Sequence, residues 1–191
     1  MAKMATKTGL SNEKELFEYC HIVAGTVGTL LTDYYCYFEK PDSRTELLLR
    51  SKSESFAQAL QRVNIAADAG RDKFEKREFI PGLFEEKSSA QLVHHDFCTS
   101  SLPYLKEGLA YTLLIDGHHP YRSFCALPIL LACRTLSLVA GDERVLTPEG
   151  GPKVPREETL QWIVFCREES HNDQALSAAF SQALEALEPT G

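Results

Sequence analysis

The chain has 191 residues, enough to bury the core of one domain and too few for two large ones. Its 43% hydrophobic and 25% charged residues are typical of globular proteins, which excludes a disordered or fibrous chain. The 20 Lys and Arg residues against 27 Asp and Glu residues give a net charge of −7, so the composition disfavours binding to DNA or RNA phosphates.

Helical segments separated by polar breaks follow one another along the chain. Apolar residues recur at helical spacing from residue 13 to residue 38, which predicts a first helix with one buried face. That face is expected to hold Leu16, Val23, Val27, Leu30 and Leu31. Further helices are expected at 46–76, 88–115, 121–139, 157–167 and 172–187. Because no repeat or linker separates them, the sequence predicts one all-α domain over residues 1–191.

The six cysteines lie mostly in apolar surroundings, and no C-x-x-C pair occurs. They are Cys20, Cys36, Cys98, Cys125, Cys133 and Cys166. This pattern favours buried, reduced thiols over a disulfide framework or a zinc site. The longest apolar run, residues 124–133, is about half the length of a membrane-spanning helix. We therefore expect a cytoplasmic protein without a transmembrane segment, either soluble or bound peripherally to a membrane.

Two aspartates, Asp68 and Asp72, lie four residues apart in a predicted helix, so their carboxylates share one face. Like charges at that spacing repel each other unless a cation lies between them. Hard oxygen ligands of this kind suit Mg²⁺, which keeps several waters and bridges to substrate phosphates. The alternative is a solvated helix face on which Arg71 and Lys76 supply the counter-charges.

Small residues follow Tyr19 in the first predicted helix, at Ala24, Gly25 and Gly28. Glycine inside a helix costs about 1 kcal/mol relative to alanine, so two glycines require a packing reason. They permit close approach by another helix or by a long apolar ligand. On spacing alone, Tyr19 is expected at the rim of such a contact.

Four segments resemble signature motifs of the squalene and phytoene synthases. Residues 19–28, YCHIVAGTVG, resemble Y-C-x-x-V-A-G-x-V-G, and residues 60–72, LQRVNIAADAGRD, resemble L-Q-x-x-N-I-x-R-D-x-x-x-D. Residues 77–81, REFIP, resemble the R-x-F/Y-x-P stop, and residues 124–128, FCALP, are similar to F-C-A-I-P. The order and spacing of the four segments agree with those of the family, over about residues 16–163.

This resemblance implies an all-α helical bundle of the isoprenoid-synthase type and a role in terpenoid, squalene or carotenoid biosynthesis. Family members join two prenyl diphosphates, such as farnesyl diphosphate, head to head, with Mg²⁺ bridging the diphosphate to aspartates. A dry pocket and aromatic faces stabilise the carbocation that remains when diphosphate leaves. A prenyltransferase-type enzyme with Mg²⁺ is therefore expected, whereas nothing in the sequence assigns NADPH.

The resemblance also implies roles for individual residues. Asp68 and Asp72 are the implied metal ligands, and Tyr19 is implied to be catalytic together with them. The residues assigned to substrate binding are Gly25, Gly28, Gln61, Asn64 and Arg77. Among these, Arg77 is implied to contact the diphosphate, and Gln61 and Asn64 to line the pocket.

The sequence departs from the family pattern at three points. Ala67 stands where the family usually has an arginine, and Arg71 where it commonly has an acidic residue. The family's first aspartate-rich motif is absent, so we expect a partial domain that resembles the C-terminal half only and lacks the N-terminal helices. A homo-oligomer or a partner subunit is then expected to complete the pocket. The alternatives are a non-catalytic relative that acts as a lipid-binding or assembly module, and a cyclase of a lipophilic substrate.

Overall fold

Helices make up the regular structure in the computed structural model, which describes residues 8–85, 89–185 and 187. In chain order they are α1 (Glu13–Cys20), a π-helical turn (His21–Gly25), α2 (Thr26–Glu39), α3 (Ser43–Phe74), α4 (Ala90–Leu113), α5 (Pro120–Val139), a 3₁₀ turn (Glu143–Leu146), α6 (Arg156–Glu168) and α7 (Asp173–Leu184). The predicted all-α class is confirmed for this part of the chain. The predicted helix start at residue 88 and the two ends of the predicted 1–191 domain lie outside the described residues.

The π-helical turn divides the predicted first helix into α1 and α2. Such a turn inserts one residue, which rotates the following helix by about 100°. Val27 and Leu30, which the periodicity predicts to be buried, are 51% and 66% exposed, so that part of the prediction is wrong. The buried residues of α2 are Gly28, Thr32, Tyr35 and Cys36.

Helix α3 is the central element and packs against α1, α2, α4, α5 and both short turns. Its first turn is capped by Asp42, whose carboxylate accepts hydrogen bonds from the backbone N–H groups of Arg44 and Thr45. Apolar residues on α3, such as Phe56, Val63 and Ala66, belong to the buried core. A second face of the same helix is left for polar side chains.

Arg62 on α3 is fully buried and joins three helices. Its guanidinium donates to Glu13 on α1 at 2.6 Å and to Ser100 and Ser101 on α4 at 2.8 and 3.2 Å. It also lies 4.8 Å from the centre of the Phe97 ring and 4.8 Å from that of Tyr104. Because the charge is removed from water, these partners are needed to offset the cost of its burial.

The cysteines are all buried and free, which confirms the prediction of reduced thiols. Burial raises the pKa of Cys20 and of Cys98 to about 12. Both thiols therefore stay protonated at neutral pH and contribute to packing rather than to nucleophilic chemistry.

Helix α5 is the one described helix with the length and apolar composition that a membrane crossing would need. Of its most apolar stretch, 56% is buried against the rest of the protein. Burial of this extent is also what a helix at the centre of a globular core shows.

The two glycines assigned to substrate binding face α3. A Cβ atom at Gly28 would lie 2.8 Å from the Ser53 carbonyl oxygen and 2.8 Å from the Ala57 Cβ atom. At Gly25 it would meet the Glu54 carboxylate, which is hydrogen-bonded to His21 at 2.9 Å. Gly28 therefore lets the α2 backbone approach the α3 backbone directly. Of the two contacts considered for these glycines, this is the approach of another helix rather than of a long apolar ligand.

We predict that the Glu13–Arg62 contact is strongly coupled. Glu13→Ala should lower the free energy of unfolding by about 1–3 kcal/mol, because it leaves a buried guanidinium without its carboxylate. In an Arg62→Met background the same change should cost at least about 1 kcal/mol less, since the buried charge is already gone. Urea denaturation of the two single variants and the double variant measures this coupling, and additive effects would contradict it.

We also predict that Gly28→Ala destabilises the protein by about 1–3 kcal/mol, because the new methyl group meets backbone atoms that cannot rotate away. Gly25→Ala is the matched control, since the atoms it meets are the end of a side chain. Thermal unfolding should therefore show a clearly smaller loss for Gly25→Ala. Equal effects at the two positions would contradict the packing interpretation of Gly28.

Candidate functional site

Six of the sequence-predicted site residues line one cavity of about 170 Å³. These residues are Tyr19, Gln61, Asn64, Asp68, Asp72 and Arg77, and Ile65 and Phe79 complete the lining. Helix α3 supplies the central residues because spacings of three and four positions keep side chains on one helix face. Gly25 and Gly28 do not line this cavity.

A chain reversal after α3 brings Arg77 back to the helix. Lys76 adopts a left-handed conformation with φ of 61°, and the Arg77 N–H donates to the Asp72 carbonyl at 2.7 Å. The reversal is held from the other side by Glu78, whose backbone pairs with that of residues 8–10 ahead of α1. Arg77 is therefore positioned by main-chain contacts on both sides.

The two aspartates differ in their surroundings. The Asp72 side chain is 11% exposed and accepts a hydrogen bond from Arg77 Nη2 at 2.7 Å, whereas the Asp68 side chain is 43% exposed and lies 3.0 Å from Arg71 Nη1. Burial raises the pKa of Asp72, although the positive charge of Arg77 opposes that shift. Each carboxylate thus has an arginine as its counter-ion: Arg71 for Asp68, as in the solvated-face alternative, and Arg77 for Asp72.

Tyr19 reaches the same cavity from α1 and stacks on Phe79, with ring centres 4.7 Å apart. Burial raises the pKa of the Tyr19 hydroxyl, and the negative charge of Asp72 raises it further. The hydroxyl therefore remains protonated at neutral pH and is able to donate a hydrogen bond. The aromatic pair gives the cavity one apolar wall beside its charged residues.

Arg77 carries the one unsatisfied donor of this site among the described residues. Its Nη2 atom is shared between Asp72 and Glu75, at 2.7 Å from each carboxylate, but its buried Nε atom has no hydrogen-bond partner. A buried donor without a partner is costly and calls for an explanation. Beside a cavity, an oxygen of a bound anion would satisfy it.

The chemistry of these donors decides whether Mg²⁺ suits the site. No group of three or more His, Cys, Asp or Glu residues able to hold a metal occurs within the described part of the chain. However, Mg²⁺ is commonly held by one or two carboxylates together with substrate phosphates and water. Asp68 and Asp72 fit that role, with Asn64 and Gln61 as further oxygen donors facing the cavity. The pair suits a magnesium ion that arrives with a phosphate group.

Phe79 was not among the predicted site residues, although it lies in the REFIP segment. Its role depends on two long-range contacts: it stacks on Tyr19, and its ring centre is 5.9 Å from the Arg77 guanidinium carbon. An aromatic residue two positions after a site arginine was the available signal. The reversal at Lys76, which brings the ring back to α1, is not visible in the residue pattern.

Comparison with known proteins supports the resemblance found in the motifs. The family described as Squalene/phytoene synthase matches residues 1–158. The squalene synthase of Nicotiana benthamiana is 31% identical over 155 residues, which is 72% of this chain and 36% of that protein. The squalene synthase of Eremothecium gossypii is 28% identical over 163 residues, covering 73% of this chain and 34% of that protein.

The squalene synthase of Bos taurus is 24% identical over 196 aligned positions, covering 93% of this chain and 44% of that protein. The chain therefore spans between a third and a half of the length of these curated relatives. The family match covers most of the chain, and its helical architecture agrees with an isoprenoid-synthase-type fold. The chain belongs to the squalene/phytoene synthase family.

Proposed function

We propose that this chain takes part in isoprenoid biosynthesis by binding a prenyl diphosphate, such as farnesyl diphosphate, with its diphosphate in the cavity beside Asp68, Asp72 and Arg77. The observation that carries this proposal is the buried Arg77 Nε atom, which lacks a partner at a site that also holds two carboxylates. An anion with several oxygens would satisfy the donor, and Asp68 and Asp72 would hold an Mg²⁺ ion that binds together with that anion.

The head of the substrate would be held by charge and hydrogen bonding. Arg77 would donate from Nε to one diphosphate oxygen, and its fixed backbone would set the direction of that bond. Asp68 and Asp72 would hold Mg²⁺ together with the diphosphate. When bound, Mg²⁺ supplies positive charge that stabilises the diphosphate as a leaving group.

Tyr19 and Phe79 would act where the bond between the allylic carbon and the diphosphate breaks. The protonated Tyr19 hydroxyl would donate to an oxygen of the leaving diphosphate. The stacked rings of Tyr19 and Phe79 offer aromatic surface that stabilises the positive charge left on the allylic carbon. This division of roles is that of a prenyltransferase-type enzyme.

The size of the cavity indicates which part of the substrate it takes. About 170 Å³ is less than the roughly 300–1,000 Å³ of typical small-molecule pockets, so it suits the diphosphate but not a long prenyl chain. We therefore propose that a second copy of this chain or a partner subunit completes the apolar part of the pocket. Exposed apolar side chains on α2 support this part of the proposal: Val27, Leu30, Tyr34, Tyr37 and Phe38.

We predict that inorganic diphosphate plus Mg²⁺ raises the melting temperature, because a ligand that binds only the folded state stabilises it by about 2.7 kcal/mol at 100 times its Kd. Mg²⁺ alone should have little effect, since two carboxylates hold it poorly. Asp68→Asn and Asp72→Asn should remove the increment that Mg²⁺ adds, and the exposed Asp96→Asn should keep it. Differential scanning fluorimetry measures each shift.

Release of diphosphate from farnesyl diphosphate tests the catalytic part of the same proposal. Release that is lost in Asp68→Asn and Asp72→Asn but kept in Asp96→Asn would support an enzyme. Binding without release would instead favour the non-catalytic, lipid-binding alternative. A wild-type protein that shows no shift with Mg²⁺ and diphosphate would contradict the proposed function.

A further inference from the structure

We propose that Arg71 is a second guanidinium ligand for the diphosphate, so that this chain holds that group in the absence of a metal ion. The inference rests on the proposed function and adds to it a mode of binding. Its basis is the position of Arg71 between a cavity residue, Asp68, and a loop that packs onto α3.

Arg71 does not line the cavity itself, but it contacts a residue that does. Arg71 Nη1 lies 3.0 Å from Asp68 Oδ1, and Asp68 is one of the cavity-lining residues. Three helical positions place the two side chains only about 60° apart around the helix axis. Because a guanidinium has five N–H donors, the contact with Asp68 leaves most of them available for an anion.

A loop also lies close to Arg71. The 3₁₀ turn and the residues after it lie against α3 at Gly70, where a Cβ atom would be 2.6 Å from the Thr147 nitrogen. At Gly150 a Cβ atom would be 3.2 Å from Arg71 Nη2, so the absence of a side chain there leaves room for the guanidinium. Gly150 also has a φ of 79°, which disfavours larger residues. The loop thus lies close to the Arg71 guanidinium and leaves it room next to Asp68.

The unused guanidinium donors of the site suit an anion that needs no metal. Arg71 pairs with Asp68, and Arg77 pairs with Asp72 and Glu75, but each guanidinium retains N–H donors beyond these contacts. Lys73 is engaged elsewhere, with Glu78 at 3.3 Å and over the Phe84 ring. Two guanidinium groups, that of Arg71 at Asp68 and that of Arg77 at Asp72, match the several oxygens of a diphosphate by bidentate hydrogen bonding.

The test is calorimetric titration of inorganic diphosphate into the full chain, once with EDTA and once with Mg²⁺. The variants are Arg71→Gln and Arg71→Glu, with Arg50→Gln as the control. Arg50 is a similarly exposed arginine, paired with Glu46 on the same helix, about 30 Å from Arg71. The melting temperature of each variant verifies that it is folded.

We expect wild-type protein to bind diphosphate in EDTA, and Arg71→Gln to weaken that binding at least about tenfold. The Arg71→Glu variant should not bind diphosphate in EDTA. With Mg²⁺ much of the binding should return, because the third carboxylate is an additional metal ligand. Arg50→Gln should match the wild type under both conditions.

Unchanged affinity of Arg71→Gln in EDTA would overturn the assignment of Arg71. Wild-type binding that requires Mg²⁺ would overturn metal-free binding while leaving the proposed function in place. The absence of binding under both conditions would overturn the proposed function and, with it, this inference.

Discussion

The buried guanidinium of Arg62 is the contact on which the arrangement of the site depends. It ties α3 to α4 through two serine hydroxyls and to α1 through Glu13. Glu13 precedes Tyr19 by six residues, about 9 Å along α1, so the contact that holds α1 also helps to fix where Tyr19 meets the cavity-lining face of α3. Gln61, beside Arg62 in sequence, faces the cavity while Arg62 faces the core.

The helical class follows from the spacing of apolar residues, and the observed helices lie close to the predicted ones. The buried face of α2 could not be derived in the same way. Periodicity assumes an unbroken α-helix, and the π-helical turn at 21–25 adds a residue that no hydrophobic pattern reveals. Gly28 and Thr32 are therefore buried, whereas Val27 and Leu30 are exposed. The apolar stripe that predicted a buried face lies on the surface instead.

Helix spacing likewise predicts only some of the candidate site residues. A shared face for Asp68 and Asp72 follows from helix geometry alone, and Gln61 and Asn64 fall on it by the same spacing. Tyr19 and Arg77 could be joined to them only through the motif resemblance. Their positions depend on the docking of α1 and on the left-handed Lys76, which are tertiary features. Assignment of the arginine counter-ions likewise needed side-chain positions.

The pairing of both aspartates with arginines links anion and metal binding under the proposed function. In the free site, Mg²⁺ would compete with Arg71 for Asp68 and with Arg77 for Asp72. A diphosphate that draws the guanidinium groups toward itself releases the carboxylates, so it raises their affinity for the metal. Thermodynamic linkage makes this reciprocal: bound Mg²⁺ raises the affinity for diphosphate by the same factor. If the further inference holds, the arginines would bind the head group with or without the metal, and bound metal would make the binding tighter.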